Sequence, residues 1–135
     1  MECKVSVTVM PILNGRIGFV RRTSEQTFPN MLVAPGGKME RTDGELIDGC
    51  MYNAAEATAK RELKEETGID IKLDDLFYFC SLTFGDILVM SFYTEVESEG
   101  KDVIWLSPDD IGERSDFAPG MKQEALLLCE RIGMI

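Results

Sequence analysis

The stretch Arg61-Glu62-Leu63-Lys64-Glu65-Glu66-Thr67-Gly68 concentrates acid where a helix tolerates it poorly. At about 100° of rotation per residue, Glu62, Glu65 and Glu66 fall within an arc of roughly 100° on one helix face. Like charges three and four positions apart repel, by roughly 0.2–0.5 kcal/mol per pair. Glu65 and Glu66 also occupy the last turn, where the helix dipole disfavours anions by about 0.3–1 kcal/mol each. A bound divalent cation would reverse the sign of every one of these terms, since carboxylate oxygens are what hard cations take as ligands. The same letters also suit a solvated helix face, and Arg61–Glu65 is an ordinary i,i+4 pair. The segment alone leaves both readings open.

The totals narrow the choice of chemistry. The chain has 135 residues, no histidine and four cysteines in no C-x-x-C pair. Without histidine there is no Ser-His or Cys-His nucleophile, and a structural zinc site is not expected. Cys3, Cys50, Cys80 and Cys129 read as scattered buried thiols of a reducing compartment. A net charge of -10 repels polyanions, so a general grip on DNA or RNA is not expected. No run of about 20 apolar residues is present, and Met1-Glu2-Cys3-Lys4-Val5 lacks a secretion layout, so the cytoplasm is the expected location. Carboxylates with a metal are the tools that remain.

The elements that must position those carboxylates are legible. Val5, Val7 and Val9 alternate with polar residues as in a half-buried strand. Asn14-Gly15 is a tight-turn signal joining it to a second strand at Ile17–Val20, closed by Arg21-Arg22. Met31–Ala34 follows, then Pro35-Gly36-Gly37-Lys38. Residues 41–52 show no period and read as a loop. Asn53 with Glu56 is a capping box for a helix running to Thr67, with Ala55, Ala59 and Leu63 facing inward and Gly68 ending it. Phe77–Phe84 and Ile87–Thr94, split by Gly85-Asp86, form a second hairpin, with Tyr78 and Tyr93 as strand residues. A short strand at Asp102–Leu106, a helical turn opened by Ser107-Pro108 and a final helix at Met121–Ile132 complete one α/β domain over 1–135.

Gly36 and Gly37 let backbone approach a ligand or ion closely, and a carbonyl there can serve as an oxygen ligand. Taken together, Gly-Gly-Lys-x-Glu followed by Arg-Glu-Leu-x-Glu-Glu-Thr-Gly-Ile resembles the signature of the Nudix hydrolases. Trp105-Leu106-Ser107-Pro108-Asp109-Asp110-Ile111 is similar to the segment after that family's last core strand. The resemblance implies an α/β/α sandwich around a mixed β-sheet. It also implies Mg²⁺-dependent (or Mn²⁺-dependent) cleavage of a pyrophosphate bond in a nucleoside diphosphate-linked compound. Carried over by position, Glu62, Glu65 and Glu66 are metal ligands with the Gly36 carbonyl, and Arg61 orients a carboxylate. Lys38 and Arg22 are candidates for phosphate contact, and Glu97 is the choice among Glu95, Glu97 and Glu99 for a late-loop base or extra ligand.

The connection departs from the family pattern. Arg61 follows Gly37 by 24 positions, ten more than the pattern allows. The glutamate that should precede the arginine by eight positions is Asn53 here, so either Glu45 supplies it or Asn53 replaces it. Pro29–Gly37 resembles the approach segment of members acting on nucleoside triphosphates, including oxidised purine nucleotides. Asp116-Phe117 is a candidate to meet the base. A (d)NTP giving a nucleoside monophosphate and pyrophosphate is the first expectation. ADP-ribose, nucleotide sugars, dinucleoside polyphosphates and a catalytically silent nucleotide sensor are the alternatives. The expected partner is a small nucleotide, with no nucleic acid and no membrane, and a homodimer is left open.

Overall fold

The computed structural model describes residues 4–135, so Cys3 lies outside the described residues. Among the described residues six strands lead into the first α-helix, and a 3₁₀ turn, three more strands and two further α-helices follow. The central strand β1 (Lys4–Leu13) turns at Asn14-Gly15 into β2 (Arg16–Arg21), with Asn14 and Gly15 both at positive φ as a tight hairpin turn requires. Two short strands follow, β3 (Leu32–Val33) and β4 (Gly36–Lys38). β1 runs parallel to β8 (Ile87–Glu95), which pairs antiparallel with the edge strand β7 (Phe77–Phe84). On its other side β1 pairs antiparallel with β2 at one end and β4 at the other. β9 (Ile104–Leu106) pairs β2 and completes a seven-stranded mixed sheet.

Alternation along β1 assigns the two faces. Val7 and Val9 pack with Ala55, Ala59 and Leu63 of α1 (Ala54–Thr67), together with Ile69, Ile71 and Phe92. Met10 and Ile12 face the other way, into a second core with Ile111 of α2 (Pro108–Glu113) and with Met121, Ala125, Leu128 and Cys129 of α3 (Met121–Arg131). The result is the expected α/β/α sandwich. The small side chains of α1 let its axis approach the sheet closely, which is what brings its acidic end to β4. Gly68 ends α1 in the left-handed conformation, its N–H donating to the Lys64 carbonyl, as the sequence predicts. α2 carries the Ser107–Asp110 capping box.

Three local expectations fail for identifiable reasons. Residues 41–52 are not a plain loop: β5 (Glu45–Ile47) and β6 (Cys50–Tyr52) pair as a hairpin turned by Asp48-Gly49, both at positive φ. Asn53 does not cap α1 with its side chain. It sits at φ 56 to bring the chain out of this hairpin, and in that conformation it makes no side-chain cap bond. Among the described residues the thiols are not uniformly buried: Cys50 is exposed on the hairpin, Cys80 is half-buried and Cys129 is in the core.

Candidate active site

The site begins where β4 meets α1. Gly36 pairs with Thr8 at a position where its own N–H points out of the ladder, and that N–H donates to Glu66 Oε2 at 3.1 Å. In an antiparallel strand the carbonyl of the same residue points the same way. The Gly36 oxygen therefore shares this edge with Glu66. A Cβ on Gly37 would collide with the Glu62 carboxylate, and one on Gly36 with the Val7 carbonyl and Thr8. Both positions need glycine because backbone and carboxylates are pressed together here.

The electrostatics are those of acid held away from water. Burial raises the Glu66 carboxyl to about 7, opposed by the Gly36 N–H and reinforced by Glu62 and Glu65, while Arg22 lowers it slightly. Burial also raises Glu62, against the pull of Arg61, with Glu65 and Glu40 adding to the rise. Glu65 is turned outward, exposed, 3.4 Å from Arg61. Among the described residues no three Asp, Glu or Cys side chains converge to metal-ligand distance.

Arg61 is the hub that fixes Glu62. Its Nη1 donates to Glu62 Oε1 at 2.8 Å and its Nη2 to the Lys38 carbonyl at 3.2 Å. The other edge of the guanidinium is gripped by Asp43, Nε to Oδ1 and Nη2 to Oδ2, both at 2.9 Å. Asp43 is 6% exposed and also accepts from the Thr58 hydroxyl at 2.7 Å and the Glu40 N–H at 2.9 Å. The Arg61 bond leads in holding its carboxyl well below the usual carboxylate range, and Asp43 in turn raises Arg61. The residue that grips Arg61 is thus neither Glu45, exposed on β5, nor Asn53. It is Asp43, immediately before the hairpin begins. Sequence reasoning missed it because a lone Asp in a Thr-Asp-Gly turn looks like turn chemistry.

The remaining candidates fall at different distances from this centre. Arg22 lies close enough for its charge to be felt at Glu66, although its guanidinium is held by Thr27 through the backbone carbonyl and Oγ1. Lys38 is exposed beside Glu62's hub. Glu97 is exposed on the loop past β8, beyond the Ile12–Glu95 pair, whereas Gly36 pairs with Thr8 four residues earlier on β1. Asp116 is engaged elsewhere: Arg114 first, then Arg21, hold its carboxyl down to about 2, with bonds of 2.9 Å to Arg114 and 3.2 Å to Arg21. Phe117 packs edge-on against Phe19 at 5.0 Å, so it belongs to the core.

A family model for the NUDIX domain matches residues 4–127. The chain belongs to the NUDIX family. It is therefore a hydrolase of pyrophosphate bonds in nucleoside diphosphate-linked substrates, a family that generally uses divalent metal ions. Solved structures share the NUDIX fold at low identity. A NUDIX family hydrolase from Clostridium perfringens is 15% identical with TM-score 0.67, over 95% of this chain and 99% of that one. A MutT NUDIX hydrolase from Burkholderia pseudomallei is 16% identical with TM-score 0.70, over 92% and 96%. A bifunctional NMN adenylyltransferase/ADP ribose pyrophosphatase from Francisella tularensis, complexed with AMP and a Mn ion, is 19% identical with TM-score 0.69, over 97% and 42%. No curated protein matches the chain by sequence.

Proposed function

We propose that this NUDIX chain hydrolyses nucleoside triphosphates, ordinary (d)NTPs or oxidised purine nucleotides, to a nucleoside monophosphate and pyrophosphate with Mg²⁺, or Mn²⁺ in its place. The observation that carries the metal-dependent part is the pair Glu62 and Glu66. Both are raised by burial and by neighbouring acid, and they lie against a glycine backbone that admits no side chain. Such a pair is unfavourable alone and fits a hard cation. Glu62, Glu66 and the Gly36 carbonyl would hold the ion, with Glu65 swinging from Arg61 to join them. A divalent ion there supplies neutralisation of polyphosphate charge and acidification of water.

The chain's own residues do the rest. Asp43 fixes Arg61, and Arg61 fixes one oxygen of Glu62, leaving the other free to face the ion. Arg22 and Lys38 bring positive charge to the phosphates on an otherwise acidic molecule. Glu97, on the loop after β8, is kept as the candidate for a late-loop base or extra ligand. The triphosphate preference draws on the MutT relatives and on the Pro29–Gly37 approach segment. ADP-ribose is the second reading, favoured by the Francisella enzyme.

A panel of ordinary and oxidised (d)NTPs, ADP-ribose, nucleotide sugars and dinucleoside polyphosphates, with Mg²⁺ and then Mn²⁺, tests this. Pyrophosphate release from a triphosphate is the expected result. Turnover of ADP-ribose alone would replace the substrate assignment. Nucleotide binding with no turnover anywhere would make the chain a sensor.

A further inference from the structure

The two margins of the sheet end differently. On one side the sheet closes with β3 and β9, strands of two and three residues. On the other it ends with β7, eight residues long and paired with β8 along one edge. The run Phe77-Tyr78-Phe79-Cys80-Ser81-Leu82-Thr83-Phe84 contains no charge, no proline and no glycine. Six of its eight residues are exposed, with Phe77, Tyr78, Leu82 and Phe84 at 53%, 53%, 39% and 59%. Proteins ordinarily blunt a sheet edge with short strands, charge or proline, because a bare row of N–H and C=O groups templates another strand. The first margin follows that rule and β7 does not.

The strand is also complementary to itself. Its register against β8 shifts by one residue between Tyr78 and Cys80, so Phe79 and Cys80 share one place in the ladder. Phe79 turns into the core. Its carbonyl accepts from Arg131 Nη1 at 3.1 Å, and the guanidinium lies 4.7 Å over its ring. With this bulge counted once, β7 has seven places and Ser81 is the central one. Reversed upon itself about Ser81, the strand sets Thr83 opposite the partner's Tyr78 and Phe84 opposite the partner's Phe77. Each pair then shares one face of the sheet. Phe77 already stacks on Tyr93 at 5.4 Å, and Phe84 lies edge-on to Phe28 at 6.3 Å. Pairing joins these contacts into one row of rings, the side-chain match that stabilises adjacent antiparallel strands.

We propose that two copies of this chain pair antiparallel along β7, across a two-fold axis at Ser81, so that their sheets continue as one. Charge selects a second copy as the occupant of this edge. At a net charge of -10 most of the surface repels another copy, and an uncharged eight-residue strand is where two can meet. Exposed Asp75 and Asp86 lie just outside its two ends. In the pair they bring like charges together, so added salt should tighten it. Area agrees with the same occupant. A backbone edge about 26 Å long, with four half-exposed large side chains, offers roughly 600 Å² per copy. The total of about 1,200 Å² is the lower bound of stable specific interfaces. β7 lies three strand spacings from β4, about 15 Å, so pairing leaves the Gly36–Glu66 edge open.

The test is analytical ultracentrifugation of the whole chain at up to about 100 μM, enough to populate a micromolar complex. Wild type should sediment as a dimer, more completely at high salt. Ser81→Lys sets two cations face to face on the axis and should sediment as a monomer. Ser81 is exposed, so the variant should keep the far-UV circular dichroism of wild type. A second measurement locates the axis and carries the test if the Lys variant fails to fold. Ser81→Cys in a Cys50→Ser background, oxidised with copper phenanthroline, should form a disulfide-linked dimer. Ser98→Cys, exposed on the loop past β8, should not do so in the same background. Wild type that stays monomeric at every salt concentration overturns the proposal. So does a folded Ser81→Lys that is still a dimer, or crosslinking no faster at position 81 than at 98.

Discussion

Glu66 makes the metal site testable by pH alone. Its carboxyl stands at about 7 in the folded chain against an ordinary 4.5. At about 1.4 kcal/mol per pKa unit, ionising it without a cation costs the fold on the order of 3 kcal/mol. Because the folded value lies above the unfolded one, the ion-free protein has this contribution in full below about pH 4.5. It loses it as pH rises through about 7. Divalent binding requires the ionised form, so each ion displaces a proton at acid pH. The Kd for Mg²⁺ or Mn²⁺ should tighten about tenfold per unit from pH 5.5 towards 7 and level off above it. Calorimetric titration at several pH values measures this directly, and urea unfolding of the ion-free protein measures the stability side. In Glu66→Gln both dependences should largely vanish, metal-dependent turnover should be lost, and the ion-free variant should be more stable than wild type at pH 8. A Kd independent of pH between 5.5 and 7, or a Gln variant that keeps the full slope, refutes the placement of Glu66.

Other outcomes follow from the same structure. Asp43→Asn should destabilise by about 2–3 kcal/mol, below the ~3–5 of a fully buried pair because Arg61 stays one-quarter exposed. It should also lower kcat by freeing Glu62, while Glu45→Gln leaves melting temperature and kcat unchanged. The folded-state carboxyl of Asp43 is depressed, so its contribution is present above about pH 4 and lost only in stronger acid, the opposite slope to Glu66. Gly37→Ala forces a Cβ into the Glu62 carboxylate and should abolish divalent binding while leaving far-UV circular dichroism intact. Leu63→Ala, at a fully buried α1 position, should cost about 2–5 kcal/mol in denaturant unfolding.

Where local pattern and burial agree, the sequence predicts the structure. The valine alternation of β1, the Ala55-Ala59-Leu63 stripe, the glycine stop at 68 and the two long hairpins are all present because each buries the face its pattern marks. The acidic end of α1 and the Gly36-Gly37 backbone are likewise brought together as their residue types imply. The pattern is silent where burial is absent. All six residues of β5 and β6 are exposed, so they carry no alternation, and the Asp48-Gly49 turn between them was the one usable signal. Asp43 and Asp116 show a different limit, since a carboxylate's partner in space is set by tertiary packing. Asp43 meets an arginine eighteen positions on, and Asp116 meets Arg21 across most of the chain. Glu124, buried on α3 at 9% exposure, was legible in principle as an acid at i+3 from Met121 on a stripe continued by Ala125 and Leu128.

The β5–β6 hairpin leaves the body of the protein at Gly44 and returns at Ala54, and those two points touch: Gly44 packs on the Tyr52 carbonyl and the Ala54 backbone. Asp43 and the Lys38 carbonyl, which grip Arg61, and the Gly36 N–H, which holds Glu66, all precede the excursion, while Arg61 and the acids Glu62, Glu65 and Glu66 follow it. The hairpin is in effect a detachable cassette on a closed doorway. A protein engineer could graft a reporter peptide at Asp48-Gly49, the end of the hairpin away from Glu45 and Tyr52, which line a hollow beside Asp43 and Arg61.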